Sequence, residues 1–284
     1  MYVSMQLSST AGKFSCKAAW LAATAAMLAM PMLVQAQGRG GRGPALTGKA
    51  GAPEDLTGYW VSIVTEDWRY RMVTPKKGDY ASVPMTPEAR KIADAWDPAK
   101  DEAAGEQCKS YGAAGLMRVP GRLHIDWQDD NTLKVETDAG TQTRLFHFGV
   151  NQAAQAAASY QGYSIATWEA PPRPQGPGAP AGGAAAQGSG PGATVQTPST
   201  GGSLKVVTTH MKPGYLRKNG VPYGENAVLT EYFTRTNESN GDSWLIITTI
   251  VEDPVYLAQP FLTSTHFKKE PNGSKWMPSQ CTSR

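Results

Sequence analysis

The sequence has few of the residues that bind metals or act as nucleophiles, with three cysteines and four histidines among 284 residues. It also lacks the motifs of common enzyme classes. It contains no G-x-S-x-G nucleophile elbow, no H-E-x-x-H zinc motif, no P-loop and no dinucleotide-binding fingerprint between a strand and a helix. Because strands and helices do not alternate along the chain, a dinucleotide-binding fold is excluded as well. We therefore predict no cofactor and favour a function other than catalysis.

An excess of charge of one sign is also missing. The chain has 27 basic and 24 acidic residues, a formal net charge of +3. Proteins that bind nucleic acids usually carry basic patches and a clear positive excess. We therefore predict no nucleic-acid partner, and we interpret the basic but glycine-rich stretch at 37–43 as part of a flexible spacer at 37–54.

The N-terminal segment has the features of a cleavable signal peptide. Lys13 and Lys17 precede an apolar run at 18–34, which Pro31 interrupts and which is shorter than the roughly 20 residues of a membrane-spanning helix. The small-residue pattern at 34–36 is typical of a signal peptidase site. We predict cleavage after Ala36, no membrane-spanning segment in the mature chain, and a periplasmic or secreted location, with an uncleaved anchor as the alternative.

Two cysteines remain after this cleavage, Cys108 and Cys281. In an oxidising compartment an even pair most simply forms a disulfide. A redox or metal role is the alternative, but there is no C-x-x-C spacing and no histidine close to either cysteine in the sequence. We predict no metal site, because the four histidines are scattered over the chain.

Segments with alternating apolar and polar residues recur through the chain, with turn residues between them. They are rich in Val, Ile, Thr and aromatic residues, as strands are. The pattern predicts about ten strands, at 60–64, 68–73, 122–128, 132–137, 142–148, 163–168, 204–210, 227–235, 244–252 and 261–268. One helix is predicted from Thr86, with Pro87 at its first position, to about Trp96, and a second near 98–107.

The stretch at 171–202 is almost wholly Pro, Gly, Ala, Ser, Thr and Gln and lies between two predicted strands. Such a composition cannot bury enough apolar surface to fold, so we interpret it as a disordered hairpin loop inside one β domain at 55–284. Short turns at 129–131 and 138–141 favour an antiparallel meander that closes into a barrel, with a β-sandwich as the alternative. The opening Gly58-Tyr59-Trp60 resembles the Gly-x-Trp of the first lipocalin strand.

A second resemblance covers residues 86–281 and is to a family of exported bacterial β-rich proteins of uncharacterised function. The matching motifs are Cys108-x-x-x-Gly112, Met117-Arg118-x-Pro120, Gln161-Gly162-Tyr163-Ser164, the stretches 204–209, 220–226 and 229–233, Glu252-Asp253-Pro254, Gln259-Pro260-Phe261 and Cys281. The long insertion at 171–202 departs from the family pattern. The resemblance implies no activity, but it supports the pairing of Cys108 with Cys281 and the barrel fold.

Candidate ligand-binding residues lie first in the tryptophan-rich start of the domain. Trp60 begins one predicted strand, and Arg69 and Arg71 share one face of the next. If this face lines a cavity, the two arginines can hold a carboxylate-bearing or phenolic ligand through charge-assisted hydrogen bonds. If it faces solvent, they are ordinary strand residues or partners of Glu66 and Asp67.

The segment 215–226 and one polar strand face supply the other candidates. Tyr215 and Tyr223 can stack on a ligand, and Glu225 and Asn226 can orient one, since loops often carry functional groups. The alternative is a structural corner. His124 can join Asp126 and neighbouring carboxylates in an acid–base cluster, or lie on an exposed polar face.

Three functions remain open at this point. The first is a lipocalin-like protein that binds a small, apolar or amphipathic ligand, and it is the one we favour. The second is a structural or protein-interaction module of the cell envelope, with an unknown protein partner. The third is an enzyme with a His/Asp/Glu cluster inside the barrel.

Overall fold

Strands dominate the computed structural model, which describes residues 47–149, 153–169 and 202–284. The predicted signal peptide at 1–36 and most of the segment at 171–202 lie outside these described residues, which all belong to one compact unit. The strands are β1 (Gly58–Ile63), β2 (Arg122–Asp129), β3 (Thr132–Thr137), β4 (Gln142–Phe148), β5 (Tyr163–Glu169), β6 (Ser203–Thr209), β7 (Gly214–Arg217), β8 (Val221–Tyr223), β9 (Val228–Asn237), β10 (Ser243–Glu252) and β11 (Phe261–Glu270). The helices are α1 (Trp68–Arg71), α2 (Pro87–Ala95), α3 (Pro98–Ala103) and α4 (Ala113–Leu116), with 3-10 helices at Gln107–Tyr111 and Ala153–Gln155.

Nine strands close into a barrel in the order β1-β11-β10-β9-β6-β5-β4-β3-β2. Every neighbouring pair is antiparallel except β4 and β5, which are parallel. The mainly β barrel expected from the sequence is therefore confirmed, and the sandwich alternative is excluded because the sheet closes on itself. The purely antiparallel meander is wrong at the β4–β5 pair.

Two segments differ from the expected secondary structure. The predicted strand at 68–73 is wrong, because Trp68–Arg71 forms the one-turn helix α1 after Asp67, whose φ of 49° turns the chain out of the extended conformation. The segment after β6, expected to be a loop, contains the two-stranded hairpin of β7 and β8. Nine of the ten predicted strands are the nine strands of the barrel.

The two predicted helices form where their capping residues place them. The Thr86 side chain accepts a hydrogen bond from the Ala89 amide at 3.2 Å, and Pro87 occupies the first helical position of α2. In the same way Asp97 accepts from the Ala99 amide at 3.1 Å at the start of α3. Both side chains satisfy amides that have no partner within the helix. Among the described residues, no helix is long and apolar enough to cross a membrane.

The barrel interior is filled by side chains from the inward faces of the strands. Buried residues from all nine barrel strands form one apolar cluster, in which Phe146 and Phe233 pack with ring centroids 5.3 Å apart. One ion pair crosses this interior: Arg144 on β4 donates to both carboxylate oxygens of Glu231 on β9, at 3.0 and 2.6 Å. A small ligand therefore cannot occupy this barrel without displacing core residues.

Helices α1 to α4 connect the end of β1 to the start of β2, and the β7–β8 hairpin connects the end of β6 to the start of β9. Both connections lie at the same end of the barrel. We call these segments the cap. At the opposite end, the amide of Lys49 donates to the carbonyl of Asp130, and Trp168 donates to the carbonyl of Gly48. Within the segment that we assigned to the spacer, residues 48 and 49 thus contact the barrel.

The C-terminal segment after β11 returns to the cap and is fixed there by the predicted disulfide, which is confirmed. Cys108 and Cys281 are bonded, with their Cα atoms 5.1 Å apart. Before reaching this bond the segment packs Trp276 edge-on against Tyr59 at 5.9 Å between ring centroids. The amide of Ser279 then donates to the carbonyl of Asp138 in the β3–β4 turn at 2.8 Å.

Candidate functional site

A cavity of about 350 Å³ lies within the cap, where α1, α4 and β7 meet. Each of these elements brings one arginine to its wall: Arg71 from the end of α1, Arg118 from the turn after α4, and Arg217 from the end of β7. We call it the arginine cavity. Because three cationic side chains from distant parts of the sequence converge on one small space, it is the strongest candidate for a binding site.

Arg71 is fully engaged by protein groups. Its Nε donates to the carbonyl oxygen of Arg118 at 2.9 Å, one terminal nitrogen donates to the hydroxyl of Ser62 at 3.1 Å, and the other pairs with the carboxylate of Glu66. Burial lowers the pKa of Arg71, and Glu66 partly opposes this shift. These contacts hold Arg71 in place and hold the α4 turn that carries Arg118.

Arg118 and Arg217 have free donors, although both are almost wholly buried, with 6% and 4% of their surface exposed. Arg118 lies 3.1 Å from Asp67, yet neither of its terminal nitrogens makes a hydrogen bond of good geometry. Arg217 donates one terminal nitrogen to the carbonyl of Ala81 at 2.7 Å, and its Nε and its other terminal nitrogen have no partner among the described residues. Buried guanidinium donors without acceptors are costly and uncommon.

The charge of Arg217 is only partly compensated, because Asp67 and Asp79 act on it without pairing with it. No carboxylate of the described residues forms an ion pair with it, in contrast to Arg71 and Arg118. Burial, together with the nearby charge of Arg118, lowers its pKa to about 10, so it remains charged at neutral pH. Its guanidinium carbon lies 4.2 Å from the centroid of the Tyr70 ring, a cation–π contact that fixes the plane of the group.

A fourth cation, Lys218, follows Arg217 on the cavity wall. Its Nζ donates to the hydroxyl of Tyr111 at 2.6 Å and to the hydroxyl of Thr282 at 3.0 Å. Burial alone raises the pKa of Tyr111, but the hydrogen bonds with Lys218 and Thr282 outweigh burial and lower it. The cavity therefore presents a polarised phenol beside the guanidinium groups.

The rest of the wall is largely apolar, with contributions from Met72, Val119, Pro120 and Leu216. Guanidinium groups with free N–H donors bind carboxylates and phosphates through paired, charge-assisted hydrogen bonds. The combination of fixed cations with an apolar and aromatic wall suits a small ligand that has one anionic group and a partly apolar body.

The structure separates the eight ligand-binding candidates that the sequence indicated. Of these only Arg71 lines the arginine cavity. Arg69 does not share its face, because α1 is a helix: Arg69 is mostly exposed and pairs with Asp79 at 2.8 Å. Trp60 is fully buried in the barrel core, where its indole donates to the carbonyl of Leu56 at 3.0 Å.

The candidates from 215–226 occupy three different environments. The Tyr215 hydroxyl donates to the buried carboxylate of Asp101, at 3.2 and 3.0 Å from its two oxygens. Tyr223 is fully buried in the cap, and burial raises the pKa of its phenol. Glu225 and Asn226 are exposed and line a separate, open depression beside His210, so the four residues do not form one site.

The histidines do not enter the barrel interior. His124 lies on the outer face of β2, 3.0 Å from Glu136 and stacked on Tyr59 at 4.3 Å between ring centroids. His147 and His266 also point outward from their strands, and His210 follows the end of β6. The hypothesis of a His/Asp/Glu cluster inside the barrel is therefore wrong. Within the described ranges, no three His, Cys, Asp or Glu side chains are grouped as a metal site requires.

Sequence reasoning missed Arg118, Arg217, Lys218 and Tyr111 as site residues. Three of them lie in segments that the sequence analysis named: Arg118 belongs to the Met117-Arg118-x-Pro120 motif, and Arg217 and Lys218 lie in the polar segment at 215–226. A signal that could have found Arg118 is its position as a single cation in an otherwise apolar stretch between Gly115 and Pro120. Comparisons of the chain with protein-family models, with curated proteins and with solved structures find no match.

Proposed function

We propose that this protein binds a small ligand with an anionic group, of the carboxylate or phosphate type, and a partly apolar body. The observation that carries this proposal is the pair of buried arginines, Arg118 and Arg217. Both residues belong to the wall of the arginine cavity, and each has side-chain nitrogens without a hydrogen-bond partner among the described residues. Leaving a buried polar group without a partner costs about 1–3 kcal/mol. A bound anion removes that cost and gains charge-assisted hydrogen bonds.

The site lies outside the barrel interior, and this position limits how a ligand can enter. The ligand enters between helices and turns of the cap, and no core residue of the barrel has to move. The disulfide at Cys281 lies next to this region, since Ser279 belongs to the cavity wall. The disulfide is consistent with a periplasmic or secreted protein, the location predicted from the N-terminal segment.

The test is calorimetric titration of the mature protein with benzoate, hexanoate and inorganic phosphate, with benzyl alcohol and hexanol as neutral analogues. We expect one of the anions to bind and its neutral analogue to bind far more weakly. In Arg217→Met, the loss of two charge-assisted hydrogen bonds should weaken binding by about 3 kcal/mol, more than a hundredfold.

Arg69→Met is the matched control, because Arg69 is an exposed arginine of the same helix as Arg71 and does not line the cavity. It should bind the anion as the unchanged protein does. Equal binding of an anion and its neutral analogue, or no binding of any anion, contradicts the proposal.

A further inference from the structure

A second cavity, of about 500 Å³, adjoins the arginine cavity. The two have Thr74 and Pro75 in common on their walls, so they meet along the segment that follows α1. Four cationic residues line the second cavity, which we call the lysine cavity: Lys76, Lys77, Lys100 and Arg284.

The charges of the lysine cavity are poorly balanced. Asp97 is the one carboxylate side chain on the wall, and its oxygen already caps α3. In the part of the chain that the structure describes, Lys76, Lys77 and Lys100 take part in no ion pair. A concave surface with several free ammonium groups raises the local concentration of anions.

Part of the wall of the lysine cavity is apolar and fixed. Trp96, only 6% exposed, belongs to its wall, and its indole donates to Asp101 at 3.1 Å. Gly220, with a φ of 83°, packs against this ring so closely that a Cβ atom would lie 2.3 Å from it. The cavity thus combines a fixed aromatic residue in its wall with four exposed cationic side chains.

The relative position of the two cavities is also fixed. The side-chain amide of Asn219, fully buried, donates to the carbonyls of Lys76 and Asp79 at 3.2 and 2.9 Å. It ties the segment between the cavities to the turn that carries Arg217 and Lys218. Lys218, on the wall of the first cavity, also contacts the main-chain oxygen of Arg284, on the wall of the second.

We propose that the ligand of the arginine cavity carries a second anionic group, which the lysine cavity binds, so that the natural ligand is a small dianion such as a dicarboxylate. This inference rests on the proposed function, since the first anionic group is the one held by Arg118 and Arg217. The body of the ligand lies over Thr74 and Pro75.

The test compares dicarboxylates from succinate to sebacate with monocarboxylates of the same chain length, by calorimetric titration at neutral pH and low salt. We expect one diacid length at which affinity exceeds that of the matched monoacid on the order of tenfold or more, because the second contact becomes intramolecular. Shorter diacids, which cannot reach the lysines, should gain little.

The variant that removes the second contact is the triple substitution Lys76→Gln, Lys77→Gln and Lys100→Gln. It should abolish the gain of the diacid and leave monoacid affinity nearly unchanged. The control with the same change of net charge is Lys134→Gln, Lys205→Gln and Lys275→Gln, whose residues line neither cavity. It should keep the gain.

The outcomes separate the two proposals. If monoacids bind and no diacid binds more tightly, the inference of a dianion is overturned while the proposed function stands. If the gain survives the first triple variant, or is lost equally in the control, the lysine cavity is not the second subsite. If no carboxylate of either kind binds, the proposed function itself fails.

Discussion

Arg217 and Arg144 are both buried arginines, and each has a side-chain nitrogen without a partner among the described residues, but Arg144 is paired with a carboxylate and Arg217 is not. Arg144 donates to both oxygens of Glu231 and to the hydroxyl of Thr208, and both partners of the ion pair are fully buried. Arg217 has one carbonyl acceptor and two unpartnered nitrogens. A buried charge with its partner is part of the packed structure, whereas a buried charge without one lowers stability. A buried charge without a partner is retained where function requires it.

Because of this contrast, we predict opposite changes in the free energy of unfolding when each arginine is replaced by methionine. Arg144→Met leaves Glu231 buried without a partner and should lower the free energy of unfolding by about 3–5 kcal/mol. Arg217→Met keeps the apolar part of the side chain and removes the unpaired charge, so we expect it to raise the free energy of unfolding by about 1 kcal/mol. Urea denaturation measures both. A loss of stability in Arg217→Met would show that its cation is structural.

Under the proposed function, Asp67 competes with the anionic ligand for Arg118. Asp67 lies 3.1 Å from its guanidinium group and is held in the left-handed conformation, with a φ of 49°. Asp67→Asn removes the negative charge, and asparagine tolerates this conformation well. We expect the affinity for benzoate to rise about two- to fivefold, the effect of one partly exposed charge. Calorimetric titration checks this, and weaker binding would mean that Asp67 positions Arg118 for the ligand.

At the scale of elements, the sequence was sufficient to predict a strand where the alternation of apolar and polar residues was long. Each barrel strand repeats the alternation over six to ten residues, so it was recognised within one or two residues of its ends. The four residues of α1 are too few to distinguish a helix from a strand, and Arg69 and Arg71 were therefore assigned to one face. The cavity itself was not predictable, because its wall combines short segments whose meeting depends on how the cap packs.

The C-terminal segment is the element that depends most on a covalent bond. The disulfide joins residues 173 positions apart and fixes a segment without regular secondary structure. Removing it in Cys108→Ala with Cys281→Ala should lower the free energy of unfolding by about 3–5 kcal/mol. Because Trp276 still anchors the segment on Tyr59, we expect faster amide exchange mainly at 277–284.

Denaturation and hydrogen exchange of the double variant measure these effects. Trp276→Ala, with the disulfide intact, is the matched control, and its increase in exchange should be confined to the residues around 276. Unchanged exchange at 277–284 in the cysteine variant would show that the noncovalent contacts of Ser279 and Thr282 suffice.

At the scale of the whole molecule, the number of strands determines the weakest part of the barrel. A closed ring of nine strands cannot alternate direction at every pair, so one pair must be parallel. That pair, β4 and β5, is joined over only three residue positions, whereas β9 and β10 are paired over ten. No local pattern in the sequence predicts a parallel pair, because the need for one arises only when the nine strands close into a ring. The β4–β5 pair is thus a seam with few backbone hydrogen bonds.

Arg144 lies on β4 just before the paired positions of this seam, where β5 gives no backbone partner. Its bonds to Thr208 on β6 and Glu231 on β9 tie β4 to the strands on the other side of the seam. The ion pair thus replaces hydrogen bonds that the parallel pair lacks. The prediction is that Arg144→Met opens the barrel at the seam before other strands separate.

Hydrogen exchange measured by mass spectrometry tests this prediction. In the unchanged protein, peptides covering Gln142–Phe148 and Tyr163–Glu169 should exchange sooner than those covering β9 and β10, because their opening costs less free energy. In Arg144→Met this difference should widen. Thr249→Val is the control, since it changes another buried polar residue of the barrel whose hydroxyl has no partner among the described residues. If Arg144→Met raises exchange equally in all strands, the ion pair stabilises the barrel as a whole and does not hold the seam.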